Sequence, residues 1–140
     1  MSTPALKEFL QQLTAVRELF YIMTPPDIDV IKPEMSKLLK VMVDNLDCKE
    51  AFIEKLKSLI DELPNYLGFE EKKFIIYTID YTMRSLRWTE IEGHLKQIYP
   101  KIEDSAVSLE VEKLIRIIFD PKWPSGVCER IDEDINMWDL

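Results

Sequence analysis

Apolar residues recur at helical spacing through most of this chain. In the first stretch Leu6, Phe9, Leu10, Leu13, Val16, Phe20 and Met23 return every three or four positions, which is one stripe of a helix. Ser2 or Thr3 stands ahead of it as a cap, and Pro4 fits the first turn, where no intrahelical N–H is missed. Thr24-Pro25-Pro26-Asp27 ends the pattern, because proline supplies no N–H and the residue before it avoids the helical region. Residues 24–32 then read as a connection, with Ile28, Val30 and Ile31 lying across the core. Pro33 opens a second helix that carries Met35, Leu38, Leu39, Met42 and Leu46.

Asp47 and Glu50 have capping-box spacing, so the chain breaks there and restarts. The third helix buries Phe52, Leu56, Leu59 and Leu63 and stops at Pro64, and Asn65-Tyr66-Leu67-Gly68 is a turn. The most apolar and aromatic window follows, from Gly68 to Trp88. It reads as a helix with Ile75, Ile76, Ile79, Met83 and Leu86 in one stripe and Tyr77, Tyr81 and Trp88 on its shoulders. It also alternates as a strand, with Ile75, Tyr77, Ile79, Tyr81 and Met83 on one face. Length decides for the helix, and so do the acids at its start and the bases at its end, which suit the helix dipole.

Thr89 with Glu92 is a second capping box, opening a short helix with Ile91, Leu95 and Ile98 that stops at Pro100. Ser105 or Ser108 caps the next, with Leu109, Leu114, Ile115, Ile118 and Phe119 inward. Asp120-Pro121-Lys122-Trp123-Pro124-Ser125-Gly126 is the clearest break, and Val127, Ile131, Ile135 and Trp138 then keep helical spacing to the end. Pro33 to Pro64 and Phe69 to Pro100 form a weak repeat, each a helix, a capping box, a second helix and a closing proline. The expected fold is all-α, six or seven helices in an irregular bundle or a short HEAT-like superhelical stack. Residues 1–124 make the helical domain, and residues 125–140 form an acidic C-terminal amphipathic segment packed on it.

Composition narrows the function classes. With 140 residues the chain is long enough for a core that needs no disulfides, and Cys48 and Cys128 read as reduced thiols. No apolar run spans a bilayer, and the start lacks the basic and apolar regions of a signal peptide. The expected setting is intracellular, cytoplasmic or nuclear, with no membrane contact. The net charge of −8 argues against direct nucleic-acid binding, which requires a cationic surface. Ten basic residues do gather in the middle of the chain, from Lys37 and Lys40 through Arg84 and Arg87 to Lys96. Most alternate with acids at helical spacing and read as solvated faces.

Chemistry-bearing patterns are sparse. His94, the one histidine, shares a helix face with Glu90 but lacks further ligands at recognisable spacing. Asp132-x-Asp134-x-Asn136 imitates a calcium loop, yet Met137 stands where glycine is needed. Three glycines exclude phosphate-binding loops, so no metal or cofactor is expected. Cys48, in the first turn of the third helix, is the one candidate nucleophile, with His94 the one imidazole to activate it.

The expected function is a non-enzymatic protein–protein interaction module, such as an adaptor, regulatory subunit or scaffold. Its partner is another protein with a groove-like or basic surface. The partner-binding residues are Ile131, Ile135 and Trp138, with Asp132 and Asp134 beside them. Trp138 is the main anchor, and Arg84 or Arg87 is the base placed to receive Asp139. Residues 129–140 hold five acids and one base, half of the excess negative charge. Two alternatives stand: an acidic inhibitor masking a basic surface of its target, and a small enzyme using the Cys48 thiol.

Overall fold

The computed structural model describes residues 4–23, 25–65 and 68–119, and among them it is all-α, with no strand. Six α-helices follow one another: α1 (Pro4–Ile22), α2 (Ile28–Asp44), α3 (Lys49–Ile60), α4 (Phe69–Leu86), α5 (Thr89–Ile98) and α6 (Ser105–Lys113). Two 3₁₀ turns, Leu46–Cys48 and Tyr99–Lys101, and a π-helical turn, Leu114–Ile118, complete the described order. The chain gathers into two compact units, residues 1–55 and 56–140, and the boundary falls inside α3.

In the first unit α1 and α2 pack against each other. The side-chain amide of Gln12 donates to both the backbone carbonyl and the carboxylate of Glu34, each at 2.8 Å. Those residues stand on opposite sides of the turn and about equally far from it, so the pair runs antiparallel. Phe9, Leu13, Val16 and Phe20 of α1 are buried, as the spacing predicts, together with Ile31, Met35, Leu38, Val41 and Met42 of α2. Phe9 meets Phe52 of α3 with ring centroids 4.7 Å apart. Each such side chain contributes about 1.5–3 kcal/mol by leaving water.

The start of α2 departs from the sequence reading. The helix begins at Ile28, not at Pro33, which lies inside it. Asp27 is the reason: its carboxylate accepts from Asp29 N at 3.0 Å, and its carbonyl takes Val30 N and Ile31 N. One residue thus ends the Pro-Pro stop and caps the next helix. Pro33 costs that helix the bond to the Asp29 carbonyl. The stripe also shifts. Ile31 and Val41 are buried, whereas Leu46 sits exposed on the 3₁₀ turn that separates α2 from α3. The break expected near Asp47 is therefore present. The side-chain amide of Asn45 helps close α2 by donating to the Val41 carbonyl at 2.8 Å.

In the second unit α4 is the interior helix. Every residue from Phe74 to Thr82, and then Met83 and Arg84, is buried. Gly68 opens it and Arg87 closes it in the left-handed conformation, φ 47°, with its N–H on the Met83 carbonyl at 2.9 Å. Trp88 then caps α5. The Thr89–Glu92 capping box does not form as expected, because Thr89 is already the first helical residue and the Trp88 carbonyl accepts from Ile91 N and Glu92 N. Ile91, Leu95 and Ile98 are buried as expected.

Neither Ser105 nor Ser108 caps α6. Asp104 does, accepting from Ala106 N at 2.9 Å and Val107 N at 3.2 Å. Its buried face is Val107, Glu110 and Val111, continued by Leu114 and Ile118 on the π-helical turn, while Leu109 points to solvent. A glutamate on that face displaces the stripe from where apolar spacing alone puts it. Both α6 and the π-helical turn lean on α4.

The paired lengths of the weak repeat survive, at 17 and 12 residues for α2 and α3 against 18 and 10 for α4 and α5. The opening proline of its first copy does not. The expected boundary at residue 125 lies outside the described residues.

Candidate functional site

Two features carry potential chemistry, one in each unit. The first is an open apolar groove where α1 meets α2. Tyr21, Ile22 and Val30 line it and are 48%, 74% and 44% exposed, which is unusual for large apolar side chains grouped together. The groove encloses about 660 Å³ and is bordered by Ala15, Arg17, Glu18, Leu19 and Glu34. Its position follows from the sequence of the turn. Since α2 starts at Ile28 and not at Pro33, Val30 comes onto a helix beside the end of α1.

The groove's charged rim is partly spoken for. The guanidinium of Arg17 lies over the Tyr21 ring, 5.2 Å from its centroid. Glu34 accepts from Gln12 and from Lys37 at 3.0 Å, and the Gln12 amide first, then the Lys37 ammonium, hold its carboxyl below the ordinary range. Glu18 has no ion partner among the described residues. The rim therefore offers a carboxylate beside an apolar floor.

The second feature is a buried charged cluster on α4. Asp80 and Arg84 stand one turn apart, 3% and 2% exposed, with Arg84 Nε donating to Asp80 Oδ1 at 2.7 Å. Glu110 of α6 adds a second buried carboxylate, reached by Lys113 Nζ at 3.4 Å. Burial pushes the Asp80 carboxyl up to about 6; the Arg84 charge opposes that shift and Glu110 reinforces it. Tyr77 and Tyr81 stack on the same side of α4, ring centroids 6.1 Å apart. Together these residues give α4 a polar and aromatic face where the sequence shows two shoulders. The signal was present in the spacing: Asp80 and Arg84 lie four apart, in register with Tyr77, Tyr81 and Trp88.

The structure relocates several sequence candidates. Arg84 is not a surface base awaiting an acid, because Asp80 already holds it in the interior. Four of the mid-chain lysines are answered by acids: Lys37 by Glu34, Lys40 by Asp44 at 2.8 Å, Lys72 by Asp104 at 2.7 Å and Lys96 by Glu92 at 3.2 Å. Lys73 rests over the Phe69 ring at 4.2 Å. The pairs of Lys37, Lys40 and Lys96 are the solvated i, i+3 and i, i+4 kind, whereas Lys72 is largely covered and reaches the acid that caps α6. His94 pairs through Nε2 with Asp61 Oδ1 at 2.6 Å, a contact between α5 and the turn after α3 that spacing along one helix does not reveal. Cys48 ends the 3₁₀ turn before α3, so it precedes the helix it was expected to open. Among the described residues no three His, Cys, Asp or Glu side chains gather to hold a metal, and no helix is long and apolar enough to cross a membrane. Ile131, Ile135, Trp138, Asp132 and Asp134 lie outside the described residues, as does Asp139. No family model matches the chain, and neither the comparison with curated proteins nor that with solved structures returns a relative.

Proposed function

We propose that this chain is a non-enzymatic protein–protein interaction module that receives an amphipathic helix of a partner protein in the α1–α2 groove. The observation that carries the reading is the grouping of exposed Tyr21, Ile22 and Val30 around a groove of about 660 Å³. A partner helix fills such a groove with apolar side chains at i, i+3 or i+4, and i+7. Glu18 on the rim and the net charge of −8 favour lysine or arginine beside that stripe. The acidic C-terminal segment, with Ile131, Ile135, Trp138, Asp132 and Asp134, supplies a second docking element in the same reading.

Affinity capture from the native source, run in parallel with the unaltered chain and an Ile22→Asp/Val30→Glu variant, tests it. Both positions are exposed, so the fold is expected to survive, and circular dichroism checks that it does. A protein retained by the first bait and lost from the second supports the groove. Identical captures by both baits rule the groove out. Truncation after Pro124 in the same assay separates the C-terminal segment's share.

The charge balance favours one further reading, an acidic inhibitor that covers a basic surface. With Lys37, Lys40 and Lys96 paired internally, the net charge of −8 is the feature that favours a basic partner. Binding of that kind weakens steeply as salt rises, whereas apolar docking does not.

A further inference from the structure

The outer face of α1 carries a second stripe, which the groove only touches. Lys7, Leu10, Gln11, Thr14, Ala15 and Glu18 line a shallow concavity of about 550 Å³, and all but Ala15 are exposed. Neither Lys7 nor Glu18 has an ion partner among the described residues. Read along the helix the stripe runs base, large apolar, amide, hydroxyl, methyl, acid. Read backwards it is its own complement. When α1 is laid antiparallel on an identical α1, a single register sets two pairs at once. Lys7 faces Glu18 of the second copy near the centre of the seam, Gln11 lies beside Thr14, and two-fold symmetry repeats each pair. Leu10, on one flank of the stripe, comes onto the same side as Leu10 of the second copy. The axis of that arrangement passes beside Leu13, the middle of α1, so the two helices overlap along nearly their whole length. A parallel arrangement sets Lys7 on Lys7 and Glu18 on Glu18 and is repelled.

We infer that a second copy of this chain docks on this stripe, α1 antiparallel to α1. The charge pattern selects the orientation, and it sets the one large apolar side chain of the stripe, Leu10, beside its symmetry mate. A contact between two helices about 28 Å long and roughly 10 Å wide is small beside the ~1,600 Å² of a standard stable interface. The dimer is therefore weak and reversible. The inference does not depend on the groove reading. Because Ala15 and Glu18 border both surfaces, self-association competes with partner docking in the groove.

Sedimentation over a concentration series, at low salt, tests it with the full chain. The unaltered protein is expected to show a monomer–dimer equilibrium. Lys7→Glu sets acid against acid and Glu18→Lys sets base against base, so each variant alone is expected to weaken the dimer at least about tenfold. Mixed in equal amounts, the two variants regain attraction at both pairs, and the dimer returns as a heterodimer. A chain that stays monomeric up to about 1 mM overturns the inference. A dimer indifferent to both substitutions, or a mixture no better than its parts, does so as well. Circular dichroism of each variant excludes misfolding, and groove-directed Ile22→Asp/Val30→Glu is expected to leave the dimer in place.

Discussion

Arg84 donates its Nε–H to the Asp80 carboxylate at 2.7 Å inside the most buried of the described helices, and Glu110 supplies a second buried acid from α6. Withdrawing those charges from water costs more than a surface pair does, and the attraction offsets it only while both partners are present. Arg84→Met strands Asp80 and is expected to lose about 3–5 kcal/mol. Asp80→Leu/Arg84→Met removes the charge altogether and is expected to recover most of that loss. Urea denaturation of the two variants against the unaltered chain measures the difference. A double variant as weak as the single one would mean that the pair's value lies in its shape.

The same site sets a pH dependence. The Asp80 carboxyl lies above its ordinary 3.8, at about 6, in the folded chain. Folding therefore takes up a proton between those values. The stability this residue contributes is fully present below the lower value and is lost as pH rises through the upper one. Glu34 and Asp104 have lowered values, so their contributions run the other way and are lost as pH falls below the ordinary carboxylate range. Denaturation at about pH 4.5 and about pH 7 is expected to show the unaltered chain weaker at the higher pH. Asp80→Asn should remove that slope, whatever it does to the mean, and a slope that persists assigns the titration to another group.

Asp104 joins two jobs. It caps α6, and it pairs with Lys72 of α4 at 2.7 Å. Asp104→Ala abolishes both and is expected to cost about 1–2 kcal/mol, most of it from the cap. Asp104→Asn keeps an oxygen for Ala106 N and Val107 N and loses only a half-exposed ion pair, less than about 1 kcal/mol. Thermal melts of the two variants rank them, and an equal drop in both would shift the credit from the cap to the ion pair.

Gly93 lies in the middle of α5, and a Cβ there meets nothing within 4 Å. Gly93→Ala removes backbone freedom from the unfolded chain without crowding the folded one. It is expected to add about 0.5–1 kcal/mol, raising the melting temperature by about 2–4 °C for each kcal/mol gained. A lower melting temperature would show that this surface of α5 is covered.

Much of this was legible in the residues, and the failures have physical causes. Length and charge order identified α4 as a helix, and the apolar spacing of α1 located Phe9, Leu13, Val16 and Phe20 in the core. Side chains that act across elements escaped. Asp27 and Asp104 cap helices from positions where prolines and serines drew attention, and both do so through hydrogen bonds that depend on backbone angles. Glu110 is buried on the face of α6 that leans on α4, near Asp80, a fact that belongs to two helices together. The groove was invisible for a similar reason: Val30 looked like part of a connection until Asp27 made it part of a helix.

The continuous burial of α4 has a consequence for sorting. At 18 residues, with eleven buried in a row, it approaches the roughly 20 residues that lipid requires of a spanning helix. Asp80 and Arg84 each resist transfer to the middle of a bilayer by about 2.5–3.5 kcal/mol. Inside the folded chain they neutralise each other at 2.7 Å, yet to machinery that scans a newly made helix for hydrophobicity they are two charges in the wrong place. Glu70, Glu71, Lys72 and Lys73 add four more charges to its opening turns, so six charges along one helix separate burial in this protein from burial in lipid.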